Sequence, residues 1–536
     1  GDDLSEYRVR MRGRCGDSAF EAEDRLWYTA GKLFAHLDGA KLWWPKGYGT
    51  QNLYDVEVVL TKGGAVVDTA KLRTGLRTVR LERTALTDTF FSGKFGFYVN
   101  GERVFILGTN FVPIDALHSR DRERLPKVCA LLEESGCNAI RCWGGGVYED
   151  DYLYDFCDEK GILIWQDFMM ACGTYPIDPE FCEIMRGEAE AAVRRLRQHP
   201  SLMLWSGDNE CDMSAFKRHP SGNRVTREVL PDVVEYEDPM RPFLPSSPFV
   251  DKEAEGRPEA YLTENHLWGP RDYYKSDFFR NSLCNFASEI GYHGCPNRSS
   301  LEKMMTAEGL YPWTEGRQWN DEWITKSTRR FVAWGPTMDR NNLMLNQVNI
   351  LFGSVPDDLD EFVFASQSVQ AEAMKYFVEM WRGRKFERTG IIWWNVRDGW
   401  PIVSDAVVDY YGSKKLAYYF LSNVQKNVCV FVNDPVDGAY PLVAVNDTRH
   451  PAEGTVTVTD VATGREVFKG SYRVGANGRE TIARLPVLEG QGMLLIRYEA
   501  DGERFGNHYL YGEPPYDLKE YRNWLDKTKL YANKDK

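Results

Sequence analysis

The chain has 536 residues, 43% of them hydrophobic and 27% charged, with a formal net charge of −13. That length exceeds one ordinary domain and implies several cores, and the composition excludes a disordered chain. The acidic balance argues against a nucleic-acid binder, which carries a basic patch or stripe, and no apolar run approaches the roughly 20 residues that span a bilayer.

Residues 1–88 alternate apolar and polar side chains in short runs such as Tyr7-Arg8-Val9-Arg10-Met11 and Leu53 to Leu60, broken by turns such as Lys62-Gly63-Gly64. This pattern predicts a small immunoglobulin-like β-sandwich. From 89 to 424 buried strands alternate with helical stretches, the signature of an α/β architecture. Eight strands are predicted, at 104–110, 139–143, 163–168, 202–205, 243–246, 261–266, 285–289 and 390–395. Between them, Leu125, Val128, Leu131 and Leu132, and again Val369, Ala373, Phe377 and Met380, recur at helical spacing. Eight strands with intervening helices predict a (β/α)8 TIM barrel, whose functional groups gather at the C-terminal strand ends. Residues 425–536 return to β patterning, as in Val428 to Val432 and Thr455 to Thr459, and predict a second sandwich. Its last stretch places Leu518, Tyr521, Trp524 and Leu525 on one helical face.

Two carboxylates close apolar strands of the barrel region: Glu210, after Leu202-Met203-Leu204-Trp205, and Glu289, in Asn285-Phe286-Ala287-Ser288-Glu289-Ile290-Gly291. Cleavage of a glycosidic bond needs one carboxyl to protonate the leaving oxygen and another to meet the oxocarbenium-like centre from the opposite side. The Asn209-Glu210 and Ser288-Glu289-Ile290-Gly291 contexts resemble the acid/base and nucleophile of glycoside hydrolase family 2. Further motifs, in family order, are similar to its β-mannosidase branch. They are Leu42 to Gly49, Arg141 to Glu149, Trp165 to Phe168, Pro245 to Pro248, Glu264 to Gly269 and Trp393 to Pro401.

The resemblance implies a retaining exo-β-glycosidase acting on an oligosaccharide or glycoside, with terminal β-mannosides favoured and no cofactor. It implies Glu210 as general acid/base and Glu289 as nucleophile. Arg141, Trp143, Asn209, His266, Trp268, Trp394 and Asp398 are implied as sugar-binding groups. Among these, Arg141 would stabilise the ionised nucleophile, Asn209 would bond the 2-hydroxyl, and Trp394 would form the floor beneath the sugar. Cys211 to Arg218 lacks the tryptophan-containing stretch of the branch, so β-galactosidase and exo-β-glucosaminidase stand as alternatives, as does an inactive carbohydrate-binding fragment. Family members begin with a jelly-roll domain that lends a loop to the sugar pocket, so a preceding domain of the same protein is the expected partner. His266 and His293 lack metal-ligand spacing, and no metal is expected. The eleven cysteines form no Cys-x-x-Cys pair. With a charged opening that is not a signal peptide, they point to reduced thiols and a cytoplasmic setting.

Overall fold

The computed structural model describes residues 3–213, 219–314, 318–327 and 340–531. Its centre is an eight-stranded parallel sheet curled into a barrel. Only the barrel strands are labelled: β1 (Ile106–Phe111), β2 (Ala139–Cys142), β3 (Leu163–Asp167), β4 (Leu202–Ser206), β5 (Phe243–Leu244), β6 (Glu264–His266), β7 (Phe286–Glu289) and β8 (Gly390–Trp393). They are hydrogen-bonded in the order β5-β4-β3-β2-β1-β8-β7-β6. Each predicted strand is present within a few residues of its expected position.

Among the described residues no ladder joins β5 to β6. Their seam is bridged by side chains instead: the Ser247 hydroxyl, just past β5, donates to Glu264 Oε1 at 2.8 Å and lies 3.2 Å from His266 Nε2, both on β6. At the C-terminal ends, the parallel bridges Ala171–Asn209 and Asn209–Ser247 extend the pairing of β3, β4 and β5 by one rung.

Alternate residues of the strands point inward, as the two-residue period requires. Ile106, Ala139, Trp165, Leu204, Leu244, Phe286 and Ile392 form one buried cluster with Phe95 and Phe97. These last two come from the hairpin Phe95–Val99 and Glu102–Val104, and Phe95 meets Phe286 with ring centroids 5.1 Å apart. The opposite faces, Leu107, Ile140, Ile164 and Ile391, pack with residues of the surrounding helices. Two of these helices, Asp121–Ser135 and Leu359–Arg382, carry the two predicted apolar stripes.

The chain opens on a four-stranded antiparallel sheet built from Tyr7–Cys15, Ser18–Arg25, Tyr54–Lys62 and Ala65–Thr74. Strand Val79–Arg83 pairs with Phe95–Val99, so a continuous ladder crosses the expected boundary at residue 88. After the barrel, a three-stranded and a four-stranded antiparallel sheet enclose a shared core that includes Val430, Leu442, Val458 and Ile496. The predicted terminal helix, Leu518–Thr528, buries Tyr521, Trp524 and Leu525. All eleven cysteines are free, and no helix of the described residues is long and apolar enough to cross a membrane.

Candidate active site

Arg141, at the end of β2, is fully buried and organises the C-terminal mouth of the barrel. Its Nη1 donates to Glu289 Oε1 at 2.8 Å and to Asn110 Oδ1 at 3.1 Å. Its Nη2 donates to Asp167 Oδ2 at 2.8 Å and Asn209 Oδ1 at 2.7 Å, and its Nε to Asp167 Oδ1 at 3.4 Å. A guanidinium has five N–H donors in a fixed plane, and these five bonds use all of them. Strands β1, β2, β3, β4 and β7 are thereby tied to one rigid group.

Glu289 ends β7 with both oxygens engaged. Oε1 takes Arg141, and Oε2 accepts from the Trp268 indole at 2.9 Å. Trp268 is held in turn by Arg271, whose guanidinium lies 4.2 Å from its ring, a cation–π contact. Glu210 follows the added rung of β4, its amide donating to Ser247 O at 2.8 Å. Its φ of +62° is unusual outside glycine. The Glu210 carboxyl has different neighbours: His266 Nδ1 lies 2.7 Å from Oε1, and the Cys172 thiol donates to Oε2 at 3.4 Å. One donor atom from each of Glu210, His266 and Glu289 lies within 4.8 Å of the other two.

The electrostatics separate the two acids. Burial raises both carboxyls above the usual range. For Glu289 this is opposed by a direct charge-assisted bond from Arg141, whereas Glu210 contacts no cation. Two carboxyls this close influence each other's titration, and the direct bond from Arg141 favours the charged form of Glu289 over that of Glu210. Burial lowers His266 to about 3, so its imidazole is neutral at neutral pH.

The acids line a cleft of about 740 Å³ together with Trp143, Asn209, His266, Trp268, Arg271, Arg340 and Trp394. Three indoles form an aromatic wall. Trp394 meets Trp143 edge-on at 5.3 Å and Trp268 at 6.1 Å. Eight of the nine expected site residues therefore share this cleft or the Arg141 cluster beneath it. Asp398 does not. It is buried away from the cleft and accepts from the Ser404 hydroxyl, because the chain turns after Trp394 to run back against Val408. Residues 214–218 of the stretch after Glu210 lie outside the described residues.

Four neighbours were not among the expected site residues: Cys172, and Asp167, Ser247 and Glu264, which lie within the quoted motifs. Asp167 also accepts from Gly144 N at 3.0 Å and Trp165 Nε1 at 2.9 Å. Glu264 stands two residues before His266 on β6, so strand alternation alone puts both on the inner face. As for a metal, the trio Glu210, His266 and Glu289 is the site's only compact donor set among the described residues. Arg141 places a full positive charge on Glu289, so a cation there would meet direct repulsion. A second donor cluster, Asp155, Asp158 and His199, lies elsewhere and is internally engaged through a 2.6 Å contact between His199 Nδ1 and Asp158.

Comparison with known proteins agrees with this geometry. Residues 16–77 match the glycosyl hydrolases family 2 model, and residues 93–243 match the glycosyl hydrolases family 2 TIM barrel domain. Beta-mannosidase B of Aspergillus niger is 30% identical over 476 residues, covering 81% of this chain and 54% of that protein. Beta-mannosidase B of Thermothelomyces thermophilus is 31% identical over 411 residues, covering 72% and 46%. The crystal structure of beta-D-mannosidase from Dictyoglomus thermophilum superposes with a TM-score of 0.81 at 27% identity, covering 95% of this chain and 62% of that one. The chain thus spans about half the length of the curated relatives it matches. With the family's barrel model on the strands that carry Arg141, Asp167 and Glu210, and these relatives alongside, the chain belongs to glycosyl hydrolase family 2.

Proposed function

We propose that the cleft hydrolyses terminal β-linked sugars with retention of configuration, and that β-mannosides are its substrates. The observation that carries this reading is the asymmetric pair. One oxygen of each carboxyl lies within 4.8 Å of one oxygen of the other, with one group clamped by Arg141 and Trp268 and the other facing a neutral imidazole and a thiol. Carboxyl groups about 5–5.5 Å apart suit a double displacement, whereas the 6.5–9.5 Å of inverting enzymes leaves room for a water.

In this reading Glu289 attacks the anomeric carbon while Glu210 gives its proton to the departing oxygen. Glu210, now a carboxylate, then takes a proton from water, which releases the sugar from Glu289. Arg141 keeps Glu289 ionised and orients Asn209, whose amide meets the sugar 2-hydroxyl. The indoles of Trp143, Trp268 and Trp394 offer apolar faces to the pyranose. The β-mannosidases among the relatives support the choice of mannose. A preceding domain of the same protein, closing one side of the pocket, is part of this proposal.

The test is a panel of nitrophenyl β-glycosides, followed by trapping with a 2-deoxy-2-fluoro-mannoside. The expected result is hydrolysis of the mannoside, a product first released as the β-anomer, and label on the peptide that contains Glu289. Preference for the galactoside or glucosaminide would overturn the sugar assignment. An α-anomer as first product would overturn retention, and binding without turnover of any glycoside would leave a carbohydrate-binding protein.

A further inference from the structure

Behind the acid stands a chain of polar groups that the reaction itself does not use. Glu264, buried on β6, accepts on a single oxygen, Oε1, from the hydroxyls of Ser247 at 2.8 Å and of Ser288. Its other oxygen has no hydrogen-bond partner among the described residues. An ionised Glu264 can only accept, so in that state both hydroxyls must donate to Oε1.

The direction of every other bond follows from that. Ser247 has one proton, and Glu264 takes it. Its oxygen, 3.2 Å from His266 Nε2, must then accept from the imidazole. A neutral imidazole carries one N–H, so Nδ1 is left as a bare lone pair. Nδ1 lies 2.7 Å from Glu210 Oε1, and this contact is a hydrogen bond only if Glu210 supplies the proton.

We propose that Glu264, acting through Ser247 and His266, is a positioning residue that fixes the imidazole tautomer and holds the acid proton on Oε1 of Glu210. The inference rests on the glycosidase reading above. Burial pushes Glu264 up to about 7 against its two hydroxyl donors, so its charge is present from neutrality upward. The other ionisable groups that face this chain are Arg141 from β2, Asp167 from β3, Cys172 beyond it, Glu289 from β7, Cys284 before it and Glu259 before β6. Glu289 Oε2 also lies 3.4 Å from His266 Nδ1; an ionised Glu289 has no proton to give, so the proton shared with a bare Nδ1 must come from Glu210.

Glu264→Gln and Ser247→Ala test the proposal in the full chain. Glu264→Gln removes the charge, and Ser247→Ala leaves it in place but cuts the chain. Both variants are expected to lose on the order of tenfold or more in kcat/KM on a methyl or unactivated aryl mannoside, part of the usual share of general acid catalysis. They should lose far less on a dinitrophenyl mannoside, whose leaving group needs little protonation. In both, the basic limb of the pH profile should move to lower pH. Equal losses on the two substrates with an unmoved limb would mark a merely structural role and overturn the proposal, as would wild-type behaviour on both. The tautomer is read independently of activity from the 15N shifts of the His266 ring. An Nε2–H imidazole in the parent protein that becomes mixed in Glu264→Gln supports the chain even if the sugar is misassigned. An Nδ1–H imidazole in the parent sinks it.

Discussion

Replacing Asp167 with asparagine removes a charge beneath the cleft and leaves the volume unchanged. Asp167 accepts from two N–H groups on each oxygen: Arg141 Nε and Trp165 Nε1 on Oδ1, Arg141 Nη2 and Gly144 N on Oδ2. Asparagine has one carbonyl oxygen and one NH2 group, so in either orientation two buried donors face another donor. Each buried group left unsatisfied costs about 1–3 kcal/mol, and removing one partner of a buried ion pair costs roughly 3–5 kcal/mol. A destabilisation of about 3–5 kcal/mol is therefore expected.

Catalysis should fall as well, because Arg141 is oriented by Asp167 and itself orients Glu289 and Asn209. A displacement near 1 Å in such positioned groups costs on the order of 10²-fold in rate, or about 2.7 kcal/mol. The assay is a pair of measurements on Asp167→Asn: the thermal unfolding midpoint, and kcat/KM on an aryl mannoside well below that midpoint. Because the protein has several cores, the midpoint is read as a shift and not as a two-state free energy. An unchanged midpoint with kcat/KM within a few-fold of the parent would refute the argument that Asp167 sets the guanidinium.

The remaining expectations address roles and protonation. Glu210→Ala should keep activity on activated substrates and form a β-glycosyl azide of retained configuration with azide, whereas Glu289→Ala should form no glycosyl-enzyme. A retained azide from the Glu289 variant instead would show the roles reversed. Glu210 is raised by burial, so its acid form is lost, and activity falls, as pH rises through that raised value. Glu210→Gln should erase the basic limb while the parent retains it. The Cys172 thiol is pushed up by burial and by the neighbouring Glu210 and Glu289 carboxyls. Mass-spectrometric timing of iodoacetamide labelling should therefore find it slow at neutral pH despite its exposure. Labelling as fast as a free peptide thiol would contradict that electrostatic account.

The parts of the molecule that were legible in the sequence are those with a local period. Eight apolar runs announced the barrel, the acids that close two of them announced Glu210 and Glu289, and the resemblance of the flanking motifs implied Arg141, Asn209 and His266. What has no period was not legible. Asp167 meets Arg141 across 26 positions and Ser247 meets Glu264 across 17, and nothing near either residue states its partner. Asp398 was misplaced because its motif follows β8 so closely. Only the turn after Trp394, seen in three dimensions, carries it away from the cleft. The boundary expected at residue 88, where the residue pattern changes, falls between two strands of one ladder, Val79–Arg83 and Phe95–Val99, and Phe95 and Phe97 are buried among barrel residues.

The long helix Leu359–Arg382 is a party wall between the barrel and the last sandwich. It presents Glu372, Lys375 and Glu379, all buried. Glu372 meets His508 at 2.9 Å and Tyr521 at 2.9 Å, and Glu379 accepts from Asn507 at 2.7 Å. The groups that satisfy this barrel helix thus come from the end of the chain. A protein cut after Val424 would not be a barrel freed of an appendage; Glu379 would keep Lys375 at 2.7 Å, but Glu372 would lose His508 and Tyr521 on a face built to be buried. Anyone shortening this chain to its catalytic part should expect insolubility from the missing counter-face before any loss of chemistry, and should keep the last strand and helix even where they stand far from the sugar.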